Sequence, residues 1–330
     1  MASPNPNITL PKSYNDLPFT QIKTQHYEKD PSIIILTLYR PKNNNAFTNT
    51  MMLEIEQAYS MFNIDDRVRV IVVTGHGRIF CAGADLEIGF RKTDEAANEH
   101  RDGFAGHMPN NAVKGENTNQ TTPRSGGRVT LAIHHCRKPT IGALQGSAVG
   151  IGITMTLPMN IRVAYKGAKI GFVFARRGLI MEACSSFFLP RLIGHSRAMQ
   201  AVTTGQTYLA SDPVFRDLFA YTMERPEEVL PKALEIAEEV ARNTSTVSTF
   251  LMKELMYRDA GSAEGQHLLD SRVIYELFQT PDNMEGVESF LQKRPPKFTG
   301  TMENTNVLAY PWWMPIDVRA KGGPVAKPKI

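Results

Sequence analysis

The sequence contains few cysteines, and they lack the spacing of a disulfide framework or a metal site. Three of the 330 residues are cysteine, namely Cys81, Cys136 and Cys184, and none belongs to a Cys-x-x-Cys pair. An odd number of unpaired thiols is typical of proteins from a reducing compartment. The chain does not open with a basic stretch followed by an apolar one, so we do not expect a secretory signal peptide.

An excess of charge of one sign is also missing. The formal net charge is +4, and the lysine and arginine residues are scattered along the chain. Proteins that bind nucleic acid carry concentrated basic surfaces, so no nucleic-acid partner is expected. The mild positive charge is compatible with a small anionic ligand.

Membrane spans and several common catalytic motifs are not evident. Residues 139–161 carry no charge and are long enough to cross a bilayer, but glycines and polar side chains interrupt them. We interpret this stretch as a buried strand over 140–144, a turn, and a buried helix of small residues over about 148–157. The sequence also lacks the glycine-rich motifs of serine hydrolases, nucleotidases and dinucleotide enzymes, which argues against those activities.

Hydrophobic periodicity predicts an α/β core followed by a helical region. Short β-branched runs alternate with helical patterns up to residue 184, and helical patterns dominate after it. The polar segment 91–127 is longer than an ordinary connection between two elements, so we expect it to form a mobile loop or lid on the substrate side. The predicted strands cover 32–39, 68–74, 140–144, 160–164 and 169–173, and the predicted helices 49–62, 128–136, 185–193, 231–243, 246–258 and 263–278.

Two glycine-rich turns carry the strongest functional signal. The first, Gly83-Ala84-Asp85, follows a buried β-branched strand, and the second, Gly150-Ile151-Gly152, follows the strand predicted at 140–144. Small residues let a backbone approach a ligand closely and leave its amide N–H groups free to face it. Two such turns indicate an oxyanion hole, in which paired amides stabilise negative charge on an acyl carbonyl oxygen.

These turns and their flanking blocks resemble the crotonase, or enoyl-CoA hydratase/isomerase, superfamily. The resemblance covers roughly residues 20–295, and its pattern is closest to fungal peroxisomal enoyl-CoA isomerase/hydratase-like proteins. It is carried by Arg40-Pro41, Asn45-Ala46, Val72-Val73-Thr74-Gly75, Phe80-Cys81-Ala82-Gly83-Ala84-Asp85-Leu86, Lys138-Pro139-Thr140, Gly146, Ala148 and Gly150-Ile151-Gly152.

The resemblance implies a crotonase-like α/β spiral of ββα units with a C-terminal helical subdomain. It implies an N-terminal extension at 1–20, the spiral core at 21–200, a helical region at 201–295 for oligomerisation and a lid, and an irregular tail at 296–330. The implied substrate is an acyl-CoA thioester whose enolate is held by the amides of Ala84 and Ile151, and the implied assembly is a trimer or hexamer. No metal and no separate cofactor are expected, because coenzyme A enters as part of the substrate.

The sequence departs from the two-carboxylate hydratases of this family. Thr154 and Phe174 stand where those enzymes carry their glutamates, and neither side chain can act as an acid or a base. Glu182, in Met181-Glu182-Ala183-Cys184-Ser185-Ser186, matches the setting of the single glutamate of 3-enoyl-CoA isomerases. Its apolar neighbours are expected to raise its pKa and to favour a shuttle of one proton between two carbons.

Three alternatives remain open at the level of sequence. Glu182 could instead complement the N-terminal dipole of the helix at 185–193. It could also activate water for hydration or for thioester hydrolysis. The chain could finally be a non-catalytic subunit that binds acyl-CoA.

Further residues are assigned to substrate binding by the same resemblance. Asp85 is expected mainly to order its turn, and Lys42 is a candidate for a coenzyme A phosphate. The last residues, Pro328-Lys329-Ile330, resemble a degenerate peroxisomal address, so we expect a peroxisomal or otherwise cytoplasmic location. The predicted substrate-binding set is Gly83, Asp85, Gly150, Lys42 and Phe174.

Overall fold

The computed structural model describes residues 8–15, 17–85, 126–314 and 316, and its main element is a six-stranded sheet. The strand order is β1-β2-β3-β4-β6-β9, in which β1 and β2 are antiparallel and all other neighbours are parallel. A second sheet of three short strands has the order β5-β7-β8. The strands are β1 Ile22–Tyr27, β2 Asp30–Leu38, β3 Val70–Gly75, β4 Thr140–Leu144, β5 Ala148–Val149, β6 Ile161–Tyr165, β7 Lys169–Gly171, β8 Thr207–Leu209 and β9 Tyr221–Met223.

The central strands are buried on both faces, which explains their nearly continuous apolar sequences. Every residue of β3 and of β4 is buried, as are residues 33–36 of β2. Parallel strands covered on both sides are typically rich in valine and isoleucine. The strands predicted at 32–39, 68–74 and 140–144 are therefore confirmed, with shifts of one or two residues at some ends. Strands β1, β8 and β9 were not predicted, because β1 is mostly polar in sequence and β8 and β9 have only three residues each.

The helices cover the main sheet and form most of the chain after residue 184. Those predicted at 49–62, 128–136, 185–193, 231–243, 246–258 and 263–278 are confirmed within two residues. The helices at His195–Thr204 and Pro281–Gln292 were not predicted. The helices are α1 Asn49–Ile64, α2 Gly126–His135, α3 Ile151–Thr154, α4 Ser185–Ile193, α5 His195–Thr204, α6 Val229–Asn243, α7 Thr246–Tyr257, α8 Ala263–Leu277 and α9 Pro281–Gln292.

The helix predicted at 148–157 is wrong in its extent. Ala148 and Val149 form β5, and Gly150 at φ +56° and ψ −127° separates this strand from a helix of only four residues. From Thr156 onward the amides bond three residues back, as in the 3.0 Å bond from Thr156 to the Ile153 carbonyl. The buried guanidinium of Arg162 stabilises this tighter path, since it donates to the carbonyls of Thr156, Leu157 and Met159.

Three clusters of buried apolar side chains stabilise the chain. The largest surrounds α1, α2, α4 and the turns after β3 and β4, and the second lies between the sheet and α6. The third joins α7 and α8 to residues 302–312 of the segment after α9. The predicted domain bounds stay a prediction. No helix among the described residues combines the length and the hydropathy that a membrane span requires.

Candidate functional site

The two glycine-rich turns lie against each other at the carboxyl ends of β3 and β4. Gly83 adopts φ +100°, and a Cβ atom there would stand 2.9 Å from the Val149 carbonyl oxygen. A Cβ atom at Gly150 would stand 4.0 Å from the Gly83 Cα atom. Contacts this close between two backbones require glycine, since a side chain at residue 83 would push the turns apart. The structure thus brings together the two turns that the sequence singled out.

Two amide side chains, one fully buried and one half-buried, hold the chain that leads into the first turn. Asn45 is fully buried at φ +54°, and its Nδ2 donates to the carbonyls of His76 and Ile79 at 2.9 and 2.8 Å. Gln145 donates from Nε2 to the Gly75 carbonyl at 2.7 Å. These bonds replace water for carbonyls that the turn leaves without a strand partner. The path of the chain between β3 and Gly83 is therefore fixed by side chains from before and after it.

Each turn presents an amide that no acceptor within the described residues occupies. On either side of Ala84 the backbone is hydrogen-bonded, since the Phe47 amide donates to the Gly83 carbonyl and the Asp85 amide donates to the Phe47 carbonyl. The Ala84 amide donates to no acceptor among the described residues. Ile151 is the first residue of α3, so its N–H has no partner within the helix. Two unused amides on touching turns can donate together to one carbonyl oxygen.

The carboxyl of Glu182 lies beside this pair of turns, enclosed from two sides. The Thr154 hydroxyl donates to Glu182 Oε1 at 2.7 Å. A Cβ atom at Gly126, the first residue of α2, would stand 2.2 Å from Glu182 Oε2 and 2.7 Å from Ile151 Cδ1. Glycine at residue 126 thus leaves the space that the carboxyl occupies. The same contacts put Glu182 next to Ile151, the residue whose amide is unused.

Burial changes the acidity of this carboxyl. Exclusion of water raises the pKa of Glu182 to about 7, and the Thr154 hydroxyl opposes the rise by stabilising the ionised form. Glu182 is only half-buried by surface area, so the carboxyl is desolvated without being sealed off. A carboxyl with a pKa near neutrality can both accept and return a proton.

The backbone after Glu182 is held in an uncommon conformation. Ala183 and Cys184 both adopt left-handed angles, at φ +54° and +55°, and α4 begins at the next residue. The Ser185 amide donates to the Glu182 carbonyl at 3.0 Å and closes this bend. Two consecutive left-handed residues without glycine cost on the order of 1–3 kcal/mol each. The bend turns the chain sharply between Glu182 and the helix.

The other predicted binding residues take different positions. Asp85 is largely buried and forms an ion pair with Arg40 at 2.9 Å, and Arg40 also donates to the Ala46 carbonyl. This contact fits the expectation that Asp85 orders its turn. Lys42 is exposed in a short 3₁₀ helix, and Phe174 is half-buried before another one. No hydrogen bond or ion pair joins Lys42 to the carboxyl of Glu182 within the described part of the chain.

Two members of the site were not recognised from the sequence. Gly126 is the residue against which Glu182 rests, and Thr154 is its hydrogen-bond donor, although sequence reasoning treated Thr154 only as a missing glutamate. The paired glycines that open α2 were the available signal for close packing. Thr154 offered none, because only the fold brings it to a residue 28 positions later.

Several predictions fall on residues that the structure does not describe. The substrate-side loop lies outside the described residues except for its last two positions, 126 and 127. The same holds for Leu86 and for the C-terminal Pro328-Lys329-Ile330. These predictions stay as they were made.

Comparison with known sequences identifies one family. The enoyl-CoA hydratase/isomerase family matches at residues 28–110 and 105–301. An enoyl-CoA hydratase of Alternaria alternata is 44% identical over 270 residues, which span 82% of this chain and 84% of that protein. The 1,2-epoxyphenylacetyl-CoA isomerase of Escherichia coli K12 is 30% identical over 83% of this chain and 97% of that enzyme.

Solved structures agree with the sequence comparison. The crystal structure of a probable enoyl-CoA hydratase/isomerase from Mycobacterium abscessus superposes with a TM-score of 0.70 at 27% identity. The similarity covers 85% of this chain and all of that one. The α/β crotonase fold expected from the sequence is therefore confirmed.

Proposed function

This chain belongs to the enoyl-CoA hydratase/isomerase, or crotonase, family, and we propose that it converts 3-enoyl-CoA thioesters into 2-enoyl-CoA thioesters. In this reaction the thioester oxygen accepts hydrogen bonds from the Ala84 and Ile151 amides. Glu182 removes a proton from C2, and the electron pair moves onto the thioester oxygen to form a dienolate. Glu182 then returns the proton to C4, so that the double bond lies between C2 and C3 and the atoms balance without water.

The observation that carries this proposal is the single carboxyl that the described residues place beside the two turns. Thr154 and Phe174 supply no second acid or base, and Glu182 has a pKa of about 7 beside two unused amides. A 1,3-proton shift needs one group that accepts and donates in turn, whereas the two-glutamate hydration of this family uses two. Amide donors of this kind are worth roughly 3–4 kcal/mol each for a developing oxyanion.

A second candidate, hydration of a 2-enoyl-CoA, is favoured by the relatives. The Alternaria protein that is 44% identical to this chain is named an enoyl-CoA hydratase. In that reaction Glu182 would activate water at C3 and return a proton to C2. Hydration and isomerisation share the oxyanion hole and differ in whether water is a reactant.

The two reactions are separated by incubating the purified protein with 3-enoyl-CoA and, separately, with 2-enoyl-CoA. Isomerisation leaves the product mass unchanged and adds the absorbance of a conjugated thioester. Hydration adds one water to the mass of the 2-enoyl substrate. That result would show that the protein is a hydratase that uses one carboxylate, and not an isomerase.

The role of Glu182 is tested by Glu182→Gln in the same assay. We expect kcat to fall by roughly 10²–10⁴, the usual contribution of a general base, while binding of an acyl-CoA product is retained. Glu224→Gln is the matched control, since Glu224 is exposed and pairs with Lys166. Turnover at the parent rate in Glu182→Gln would rule out this carboxyl as the proton carrier.

We also propose that copies of the chain associate through the C-terminal helices. These helices expose large apolar side chains, and exposed apolar patches of this kind mark interaction surfaces. This proposal is tested by sedimentation of the protein and of a variant in which two of the exposed apolar residues are changed to serine. The exposed ones on α8, α9 and the link between them are Leu268, Ile274, Tyr275, Phe278, Met284, Val287, Phe290 and Leu291.

A further inference from the structure

Thr154 contacts Glu182 in a way that makes the two carboxyl oxygens unequal. Thr154 is fully buried, and its hydroxyl donates at 2.7 Å to Oε1. Oε2 has no such donor among the described residues and faces the space above Gly126, beside Ile151 Cδ1. A hydrogen bond to one oxygen fixes the rotation of the carboxyl and lowers the basicity of that oxygen.

We propose that Thr154 is a positioning residue that reserves Oε1 for its own hydroxyl, so that Oε2 alone takes the substrate proton and returns it. The inference rests on the proposed function and deepens it by assigning the proton to one atom. A single oxygen, held beside the oxyanion hole, can receive the proton from C2 and deliver it to C4 without rotation of the carboxyl. Thr154 therefore orients the carboxyl of Glu182 from the position where two-carboxylate hydratases carry a glutamate.

No charged side chain of the described residues competes with Thr154 for this carboxyl. Desolvation and the Thr154 hydroxyl are the influences on the pKa of Glu182. Arg128, on α2, pairs with Glu56, and Arg176, in the 3₁₀ helix before Glu182, donates to the Thr204 carbonyl. Removal of the Thr154 hydroxyl therefore alters the ionisation of Glu182 directly.

The test compares Thr154→Val with Thr154→Ser and Thr156→Val. Valine keeps the shape of threonine without the hydroxyl, serine restores the hydroxyl, and Thr156 is an equally buried threonine two residues on. The Thr156 hydroxyl donates to the Ile153 carbonyl at 2.8 Å and does not contact Glu182. Thr156→Val therefore reports what loss of a buried hydroxyl in this turn does by itself.

Thr154→Val should raise the inflection of the pH profile of kcat/KM by about one unit, because a hydrogen bond to an ionised group shifts its equilibrium at least tenfold. At high pH, kcat should stay about tenfold below the parent, with KM unchanged, because the carboxyl is less well oriented. Thr154→Ser should restore the inflection, and Thr156→Val should leave it at the parent value. An unchanged profile in Thr154→Val, or an equal shift in Thr156→Val, would overturn the proposal.

A second measurement reads the same coupling without any substrate. The Tm of Glu182→Gln is compared with that of its parent across pH, in the wild-type and in the Thr154→Val background. The difference in Tm grows above the pKa of this glutamate in the unfolded chain and levels off at its pKa in the folded protein, and the pH at which it levels off should lie about one unit higher in the Thr154→Val background. If 3-enoyl-CoA is not isomerised, this shift still supports the contact between Thr154 and Glu182 and its effect on the carboxyl, while the proposed reaction fails. A Tm difference that levels off at the same pH in both backgrounds overturns the role of Thr154 whatever the reaction is.

Discussion

The two halves of the candidate site are built by different means. The proposed oxyanion half consists of backbone, since Gly83 and Gly150 bring two turns together and their neighbours present amides. The proposed proton-transfer half consists of side chains, with Glu182 held between Thr154 and Gly126. The first half is inseparable from the fold, because its groups belong to the chain that links strands. The second half can be altered one side chain at a time.

This difference predicts that damage to the two halves has different consequences. Changes in the turns should lower both stability and activity, whereas changes around Glu182 should lower activity and leave the fold intact or even stabilise it. Four experiments test this contrast.

The largest effect is expected from Gly83→Ala, which breaks the backbone half. A Cβ atom would stand 2.9 Å from the Val149 carbonyl oxygen, at a φ of +100° that alanine rarely adopts. We expect about 10²–10³ less activity and a free energy of unfolding lower by roughly 1–3 kcal/mol. Enzyme assays and thermal unfolding measure both. Gly77→Ala is the control, since Gly77 has φ +76° with nothing near its Cβ position, and it should lower stability alone. Full activity in Gly83→Ala would contradict the close approach of the turns.

Gly126→Ala should break the side-chain half with a smaller effect. The new methyl group would meet the ends of two side chains, Glu182 and Ile151, which can move aside. We expect activity to fall about 100-fold through the displaced carboxyl, with Tm within a few degrees of the parent. Gly286→Ala in α9 is the control, because a Cβ atom there meets only the Phe298 ring at 3.5 Å, and it should change neither activity nor Tm. A large loss of Tm in Gly126→Ala would remove the distinction between the two halves.

The pH profile of the unaltered enzyme should reflect Glu182. Because the ionised carboxylate must accept the proton, kcat/KM should fall tenfold per pH unit below an inflection at about 7. Initial rates between pH 5 and 9, with enzyme stability checked at each pH, measure this inflection. A profile that stays flat from pH 9 down to pH 5, as an ordinary glutamate pKa would give, would show that burial does not control this carboxyl.

The smallest effect is a gain of stability in Glu182→Gln. The pKa of Glu182 is about 7 in the folded protein and about 4.5 in the unfolded chain, so the folded state binds more protons between these values. Stability of the parent therefore falls as pH rises from about 4.5 to 7, and the full cost persists above pH 7. Glutamine does not ionise, so above pH 7 the free energy of unfolding of Glu182→Gln should exceed that of the parent by about 1–2 kcal/mol once the partial exposure is allowed for. Its Tm should exceed that of the parent at pH 8 and match it at pH 4.5, and an equal difference at both pH values would contradict this.

The sequence predicted the backbone half of the site better than the side-chain half. Gly83 and Gly150 are recognisable because positive φ and close approach leave glycine as the suitable residue. The strands 32–39 and 140–144 were recognisable because buried parallel strands are uniformly apolar. The helix predicted at 148–157 was wrong in its extent, since an apolar run does not reveal that Gly150 interrupts the helix or that Arg162 binds the carbonyls beyond its end.

The sequence by itself determined the local features of this protein: its buried strands, its two glycine turns, and the absence of carboxylates at residues 154 and 174. Local backbone preferences and side-chain chemistry decide these, and they act between residues close in the chain. Only the tertiary structure decided that Thr154 donates to Glu182, that Gly126 makes room for it, and that its pKa reaches about 7. The acidity of a carboxyl depends on which groups and how much water surround it, and here the fold gathers those groups from distant parts of the chain.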